Sequence, residues 1–197
     1  MSGPEQAPTN AAVLELKHEQ VVVKEAYTFL DEKRLLLAAE LLRQLRLYQK
    51  LNQSMLALRA EAREAIRSAV MHHGLNGLQV YPCSSLDGAE LSQTRRNLMG
   101  VTLVETGLST RGIGDMHAVP ANPSGKAEHC RRLFRDMLVQ SAALAGISGN
   151  LYRLLAEYRL TERRSHALEN VILPELEQAL REMSSHLEEL DFEDAIR

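Results

Sequence analysis

From Val13 to Ala69 the chain keeps one rhythm, with steps of three and four alternating. The seam runs Val13, Leu16, Gln20, Val23, Tyr27, Leu30, Arg34, Leu37, Leu41, Gln44, Tyr48, Leu51, Met55, Leu58, Ala62, Ala65, Ala69. A mean step of about 3.5 residues places these side chains along one seam of a left-handed coiled coil. Gln20, Arg34 and Gln44 are its long polar members. Two readings stand for Arg34 and Gln44: they set helix register as polar residues in a seam, or they reach to solvent from a thinly covered position. A helix over this span is about 85 Å long at 1.5 Å per residue. Such a rod suits mechanical or scaffolding work.

A second periodic run follows Asn122-Pro123-Ser124, with Ser124 as helix cap. Its seam passes through Leu133, Met137, Gln140, Leu144, Ile147, Leu151, Leu154 and Tyr158, then through Thr161 and Ser165 to Leu168. Between Leu168 and Leu180 the step becomes four, four, four (Ile172, Leu176), before three and four return at Met183, Leu187 and Leu190. Consecutive fours unwind a coiled coil locally. Pro174 lies among them and removes a backbone donor, so a bend is expected there. Gly146 and Gly149 form a second soft place where a neighbour can approach closely.

Punctuation sets the boundaries. Residues 1–9 read as a flexible lead, with Thr9 or Asn10 capping a helix over residues 10–73. That helix contains no Pro or Gly until His72 and His73 bring positive character to its last turn and Gly74 offers a left-handed stop. Residues 74–125 hold most of the glycines and half the prolines, and read as a compact head. Two pieces of it are β-like, Leu78–Tyr81 and the stronger Gly100–Glu105. A partner strand near Met116–Val119 would close a hairpin around Gly107–Gly114. Residues 126–197 form the second coiled-coil helix. Neither helix can bury its stripe alone, so the expected fold is mainly α: a long antiparallel two-helix coiled coil with a small mid-chain head containing a short β-hairpin.

Composition narrows the function. Hydrophobic residues make up 45% of the chain, but aromatics only 4% and Trp is absent, as helix seams require. A net charge of −3 argues against nucleic acid as main partner. Cys83 and Cys130 are far apart and lack metal-ligand spacing, which points to free thiols in a reducing compartment. MSGPEQAPTN has neither the basic nor the apolar region of a signal peptide, and no stretch reaches the roughly 20 apolar residues that span a bilayer. A cytoplasmic protein with no direct membrane insertion is expected.

Candidate chemistry is sparse. Thr110–Asp115 lacks the glycine spacing and Lys-Ser/Thr pair of a phosphate loop and reads as a turn. Adjacent His72 and His73 diverge by about 100° on a helix, while His117, His129 and Cys130 are scattered, so no zinc set forms. Catalytic, cofactor-binding and metal-ligating residues are therefore all expected to be absent, and no cofactor is expected. Two basic clusters, Arg131-Arg132 with Arg135 and Arg163-Arg164, are either a solvated face or a docking stripe for an acidic partner. Glu188, Glu189, Asp191, Glu193 and Asp194 oppose the helix dipole at the C-terminal end, so the last turn is expected to fray.

The segment Arg163-Arg164-Ser165-His166-Ala167-Leu168-Glu169-Asn170-Val171-Ile172-Leu173-Pro174-Glu175-Leu176-Glu177 resembles the C-terminal signature of the D subunits of V-type and A-type ATPases. Pro8-Thr9, Leu14, Leu16-Lys17 and Phe29-Leu30-Asp31-Glu32-Lys33-Arg34 are similar to the N-terminal region of that family. The resemblance brackets nearly the whole chain. It implies a non-catalytic central rotor shaft whose paired termini enter the catalytic head and whose middle faces the membrane sector. Its turning would couple ATP hydrolysis or synthesis to H⁺ or Na⁺ transport through the membrane ring. Implied partners are the catalytic and regulatory head subunits, a small rotor subunit on the shaft flank and a funnel-shaped subunit above the ring. One departure is plain: the family commonly ends in a basic tail around Arg-Leu-Lys-Lys, whereas Leu190–Arg197 is acidic. No contacts are carried over for that tip.

Two other classes compete. One is a coiled-coil coupler of a secretion or flagellar export ATPase, which the large mid-chain head disfavours. The other is a helical-bundle enzyme, which the lack of a convergent acid, base and nucleophile disfavours.

Overall fold

The computed structural model describes residues 9–79, 81, 88–110 and 122–196. In chain order the elements are α1 (Asn10–Gln79), β1 (Glu90–Leu98), β2 (Val101–Ser109), α2 (Gly125–Ala167), a π turn (Leu168–Ile172) and α3 (Leu173–Ile196). The described residues are thus mainly helical, with a small antiparallel hairpin in mid-chain.

Local chemistry explains where the helices start and stop. Thr9 Oγ1 accepts the Ala12 amide at 3.2 Å, so Thr9 is the cap of α1. Gly74 interrupts α1 with φ 69° and ψ 165°, a conformation only glycine adopts without strain. Ser124 Oγ accepts the Ala127 amide at 3.2 Å and caps α2. Every seam position from Val13 to Ala69 is buried or half-buried, as the rhythm requires. On the second run the same holds from Leu133 to Leu168, while Ile172 and Leu190 are exposed.

Two compact units divide the chain: Met1–Ala38 with Ala156–Arg197, and Ala39–Leu155. In the first, contacts run antiparallel. Lys33 Nζ meets Glu157 Oε1 at 2.6 Å, Gln20 Nε2 donates to Glu177 Oε1 at 3.4 Å, and Tyr27 lies beside Glu169. Desolvation first, then the Glu169 charge, raises the Tyr27 phenol above its ordinary 10.0. Thr161 and Ser165 are each 1% exposed, so small polar groups fill this part of the seam. Arg34 turns along its own helix to Asp31 at 2.6 Å instead of crossing the seam.

In the second unit α1 and α2 pack through Ala62, Ala65 and Leu133, flanked by Leu58, Cys130 and Met137. Burial pushes the Cys130 thiol above its ordinary range, which suits packing and not reactivity. His73 Nε2 sits 2.6 Å from Ser124 Oγ, joining the turn before Gly74 to the start of α2.

The hairpin is a correction to the sequence expectation. Val101–Ser109 pairs with the segment before it, Glu90–Leu98, in an unbroken register from Leu98↔Val101 to Glu90↔Ser109. Met99 (φ 49°) and Gly100 (φ 88°) make a two-residue turn with positive φ at both centres, the type I′ signature. Gly107 lies within β2 and not in a turn. Two features hid β1 from its sequence: ELSQTRRNL is polar, and all but Leu98 of it is exposed. Leu78 and Gln79 are helical, while Met116–Val119 lies outside the described residues.

The π turn, Leu168–Ile172, ends two residues before Pro174, which lies in the first turn of α3. The Leu173 amide donates to Leu168 O, five residues back. The acidic end stays helical through Ile196.

Candidate functional site

Among the described residues no three His, Cys, Asp or Glu side chains converge as a metal site, and no helix is long and apolar enough to cross a membrane. The His72 and His73 rings meet edge to face, centroids 4.9 Å apart. Arg163 and Arg164 are exposed, whereas Arg131 is half-buried and pairs with Glu128 at 3.6 Å. Cys83 and His117 fall outside the described residues, as does Thr110–Asp115 beyond Thr110. None of these groups gathers into a site.

Polar groups concentrate instead where the hairpin meets α1 and α2 in the second unit. Glu40 is 9% exposed. Its Oε1 accepts Arg43 Nη2 at 2.7 Å, Gln44 Nε2 at 2.9 Å and Arg96 Nη2 at 2.7 Å, while its Oε2 accepts Arg43 Nε at 2.8 Å. Hydrogen bonding from Arg43, joined by Gln44 and the Arg96 charge, overcomes desolvation and holds the Glu40 carboxyl at about 2. Arg96 is thereby the tie from β1 to α1. Gln44, 3% exposed, does not reach solvent, and its side-chain amide is spent on Glu40 of its own helix.

The second tie is made by Asn150 of α2, 1% exposed. A two-residue turn makes Leu98↔Val101 a hydrogen-bonded pair, so counting along the register Arg95↔Val104 is a non-hydrogen-bonded one. Val104 therefore presents both backbone groups away from β1. Asn150 Oδ1 accepts the Val104 amide at 2.8 Å and its Nδ2 donates to Val104 O at 2.9 Å. One side chain thus stands in for a third strand. Asn150 Oδ1 also accepts Arg153 Nη2 at 2.7 Å.

The third tie is steric as well as polar. Thr106 Oγ1 donates to Ala142 O, and a methyl on Gly146 would collide with Thr106 Oγ1. Gly146 is the close-approach glycine that the sequence suggested, and its neighbour is β2. Gly149 instead underlies the Arg153 guanidinium at ordinary contact distance.

Sequence reasoning did not single out Glu40, Arg96, Asn150 or Thr106. A signal existed for Glu40: it stands three and four residues before Arg43 and Gln44, on one helical face. Nothing local marks Asn150, whose role depends on a strand 46 residues away.

A family model for the ATP synthase D subunit matches residues 12–197 of the chain. The V-type ATP synthase D subunit of Thermotoga neapolitana is 26% identical over 191 residues, covering 97% of this chain and 94% of that protein. The A-type ATP synthase D subunits of Thermococcus kodakarensis and Thermococcus sibiricus are 28% and 30% identical over 196 residues, each covering 96% of this chain and 90% of the relative.

Proposed function

The chain belongs to the family of ATP synthase D subunits, and from that premise we propose that it is the non-catalytic central-stalk, or rotor-shaft, subunit of a V/A-type rotary ATPase. In this reading residues 10–73 and 126–197 supply the shaft helices and residues 74–125 the head turned towards the membrane sector. Rotation of the shaft couples ATP hydrolysis or synthesis in the catalytic subunits to H⁺ or Na⁺ movement through the membrane ring. The chain contributes stiffness to that cycle, and the nucleotide chemistry belongs to its partners. Those partners are the head subunits, a small rotor subunit on the flank and a funnel-shaped subunit above the ring.

The observation that supports this most is the family match over 12–197 on a chain whose seam is covered at every position from Val13 to Ala69. A helix paired along such a seam resists twist through many small contacts, none of which needs a catalytic group. The test is reconstitution with the catalytic and small rotor subunits, with a bead attached to this chain. ATP-driven rotation of the bead is expected, with no ATPase activity from the chain alone. Failure of the chain to enter the catalytic complex would sink the proposal.

A further inference from the structure

The face of the hairpin opposite Arg96 borders an open groove of about 650 Å³ within the second unit. One wall is the strand face carrying Gln93, Arg95 and Thr102. The other is a stripe of α2 made only of Ala142, Ala145, Gly146 and Gly149, at steps of three, one and three. With no side chain beyond Cβ on that stripe, a channel stays open beside the strands. Thr106 is bonded to Ala142 O inside the groove. Arg153 also lines it, its guanidinium lying over Gly149 and held by Asn150 Oδ1 at 2.7 Å.

Charge separates this face from its opposite. Arg43 and Arg96 share the Glu40 carboxylate. Arg95 and Arg153 line the groove with no Asp or Glu among its lining residues, and neither has a carboxylate partner among the described residues. A guanidinium orients carboxylates through paired donors, and a fixed one loses less freedom on binding. Arg153 is such a fixed one. The rest of the lining is largely apolar or small, with Leu91 and Val104 beside the Ala/Gly stripe, and a bare inorganic anion would leave that surface uncovered. We infer that the groove between the hairpin and α2 receives an acidic, extended polypeptide segment of a partner chain, its carboxylates taken by Arg95 and Arg153. This goes beyond the stalk reading, which assigns no residue to any contact.

The probe is the acetylated, amidated heptapeptide Ala-Val-Glu-Val-Glu-Val-Ala, titrated into the full chain by NMR, beside the same peptide with Gln for both Glu. The Glu peptide is expected to bind at least about tenfold more tightly than the Gln peptide, as charge-assisted pairing requires. Arg95→Gln and Arg153→Gln should each weaken it by about tenfold, with Arg95→Lys recovering part of the loss. Ala145→Phe, at an exposed position on the groove wall, should abolish binding by filling the groove. Because Arg153 also bonds Asn150, the Arg95 and Ala145 variants keep the test independent of any folding defect.

Equal binding of the two peptides, or unchanged binding in the Ala145→Phe chain, would overturn the inference. So would no binding at millimolar peptide, full competition by inorganic phosphate at the same affinity, or self-association of the chain through this groove. None of these readings uses the ATPase complex. Failure to co-purify with catalytic subunits would therefore refute only the stalk reading, and failure here only the groove.

Discussion

Replacing Glu40 with Gln removes one negative charge at the point where the hairpin is tied to α1. A carboxyl held at about 2 instead of its ordinary 4.5 is favoured as an ion by about 3 kcal/mol, at about 1.4 kcal/mol per pH unit. Its partners are wet: the Arg43 and Arg96 side chains are 50% and 45% exposed, so screening brings the net to about 2 kcal/mol. The folded-state value is depressed, so this stability is fully present above pH 4.5 and drains away as pH falls through about 2. At pH 3 roughly two-fifths of it remains, under about 1 kcal/mol. Urea unfolding of Glu40→Gln and the parent at pH 7 and pH 3, with amide exchange at Leu103 and Val104 as the local probe, measures both. The expected deficit is about 2 kcal/mol at pH 7, less than half that at pH 3, and it falls on the hairpin amides first. A deficit that does not shrink between the two pH values would show that the carboxylate charge is not what holds Arg96.

Gly146→Ala should cost about 2 kcal/mol by forcing Thr106 off α2, and adding Thr106→Ala should recover part of it, both read by thermal unfolding. Met99→Asn should stabilise the hairpin by about 0.5–1 kcal/mol, since Met at φ 49° pays a penalty that Asn largely escapes; hairpin amide exchange measures it. Leu133→Ala should lose about 3 kcal/mol in denaturant unfolding, because Ala62 and Ala65 are too small to close the void. Pro174→Ala should keep the Leu173 amide bonded to Leu168 O in a crystal structure of the variant; reversion to an unbroken α-helix would assign the π turn to proline alone.

The long helices were legible because burial on a helix leaves a period, and the period from Val13 to Ala69 has no gap to misread. Caps were legible for the same local reason: Thr9 and Ser124 act within three residues of themselves. The hairpin was half legible. Val101 and Leu103, 6% and 1% exposed, give β2 an apolar alternation, but β1 is polar and exposed along all but its last residue, so it carries no such pattern. Its turn was obscured because Met occupies a position where Asn or Gly would normally announce it. The ties were legible least. Glu40 to Arg96, Asn150 to Val104 and Thr106 to Ala142 each join residues at least 36 positions apart. Their residue types are ordinary on any solvated helix, so only the fold turns them into partners.

The π turn shows how two weak sequence signals can describe one object. The steps from Leu168 to Leu180 sum to twelve residues where alternating threes and fours would use ten or eleven. The surplus is about one residue, and a π turn takes up one extra residue without ending the helix. The rhythm of three and four resumes after it at Met183 and Leu187, both half-buried, while Leu176 is 9% exposed inside the packed face. Pro174 fits the same place on separate grounds. A proline in an α-helix lacks an amide and its ring strikes the carbonyl four residues back, here that of Asn170. A ladder already widened at Leu168–Ile172 has room for the ring and no need of the missing donor. The unwinding expected from the run of fours is therefore met by a single local widening, and the same widening accommodates Pro174. The seam spacing reaches across three turns and proline across only one, so the spacing is the stronger determinant, which is why the turn should outlast the loss of Pro174.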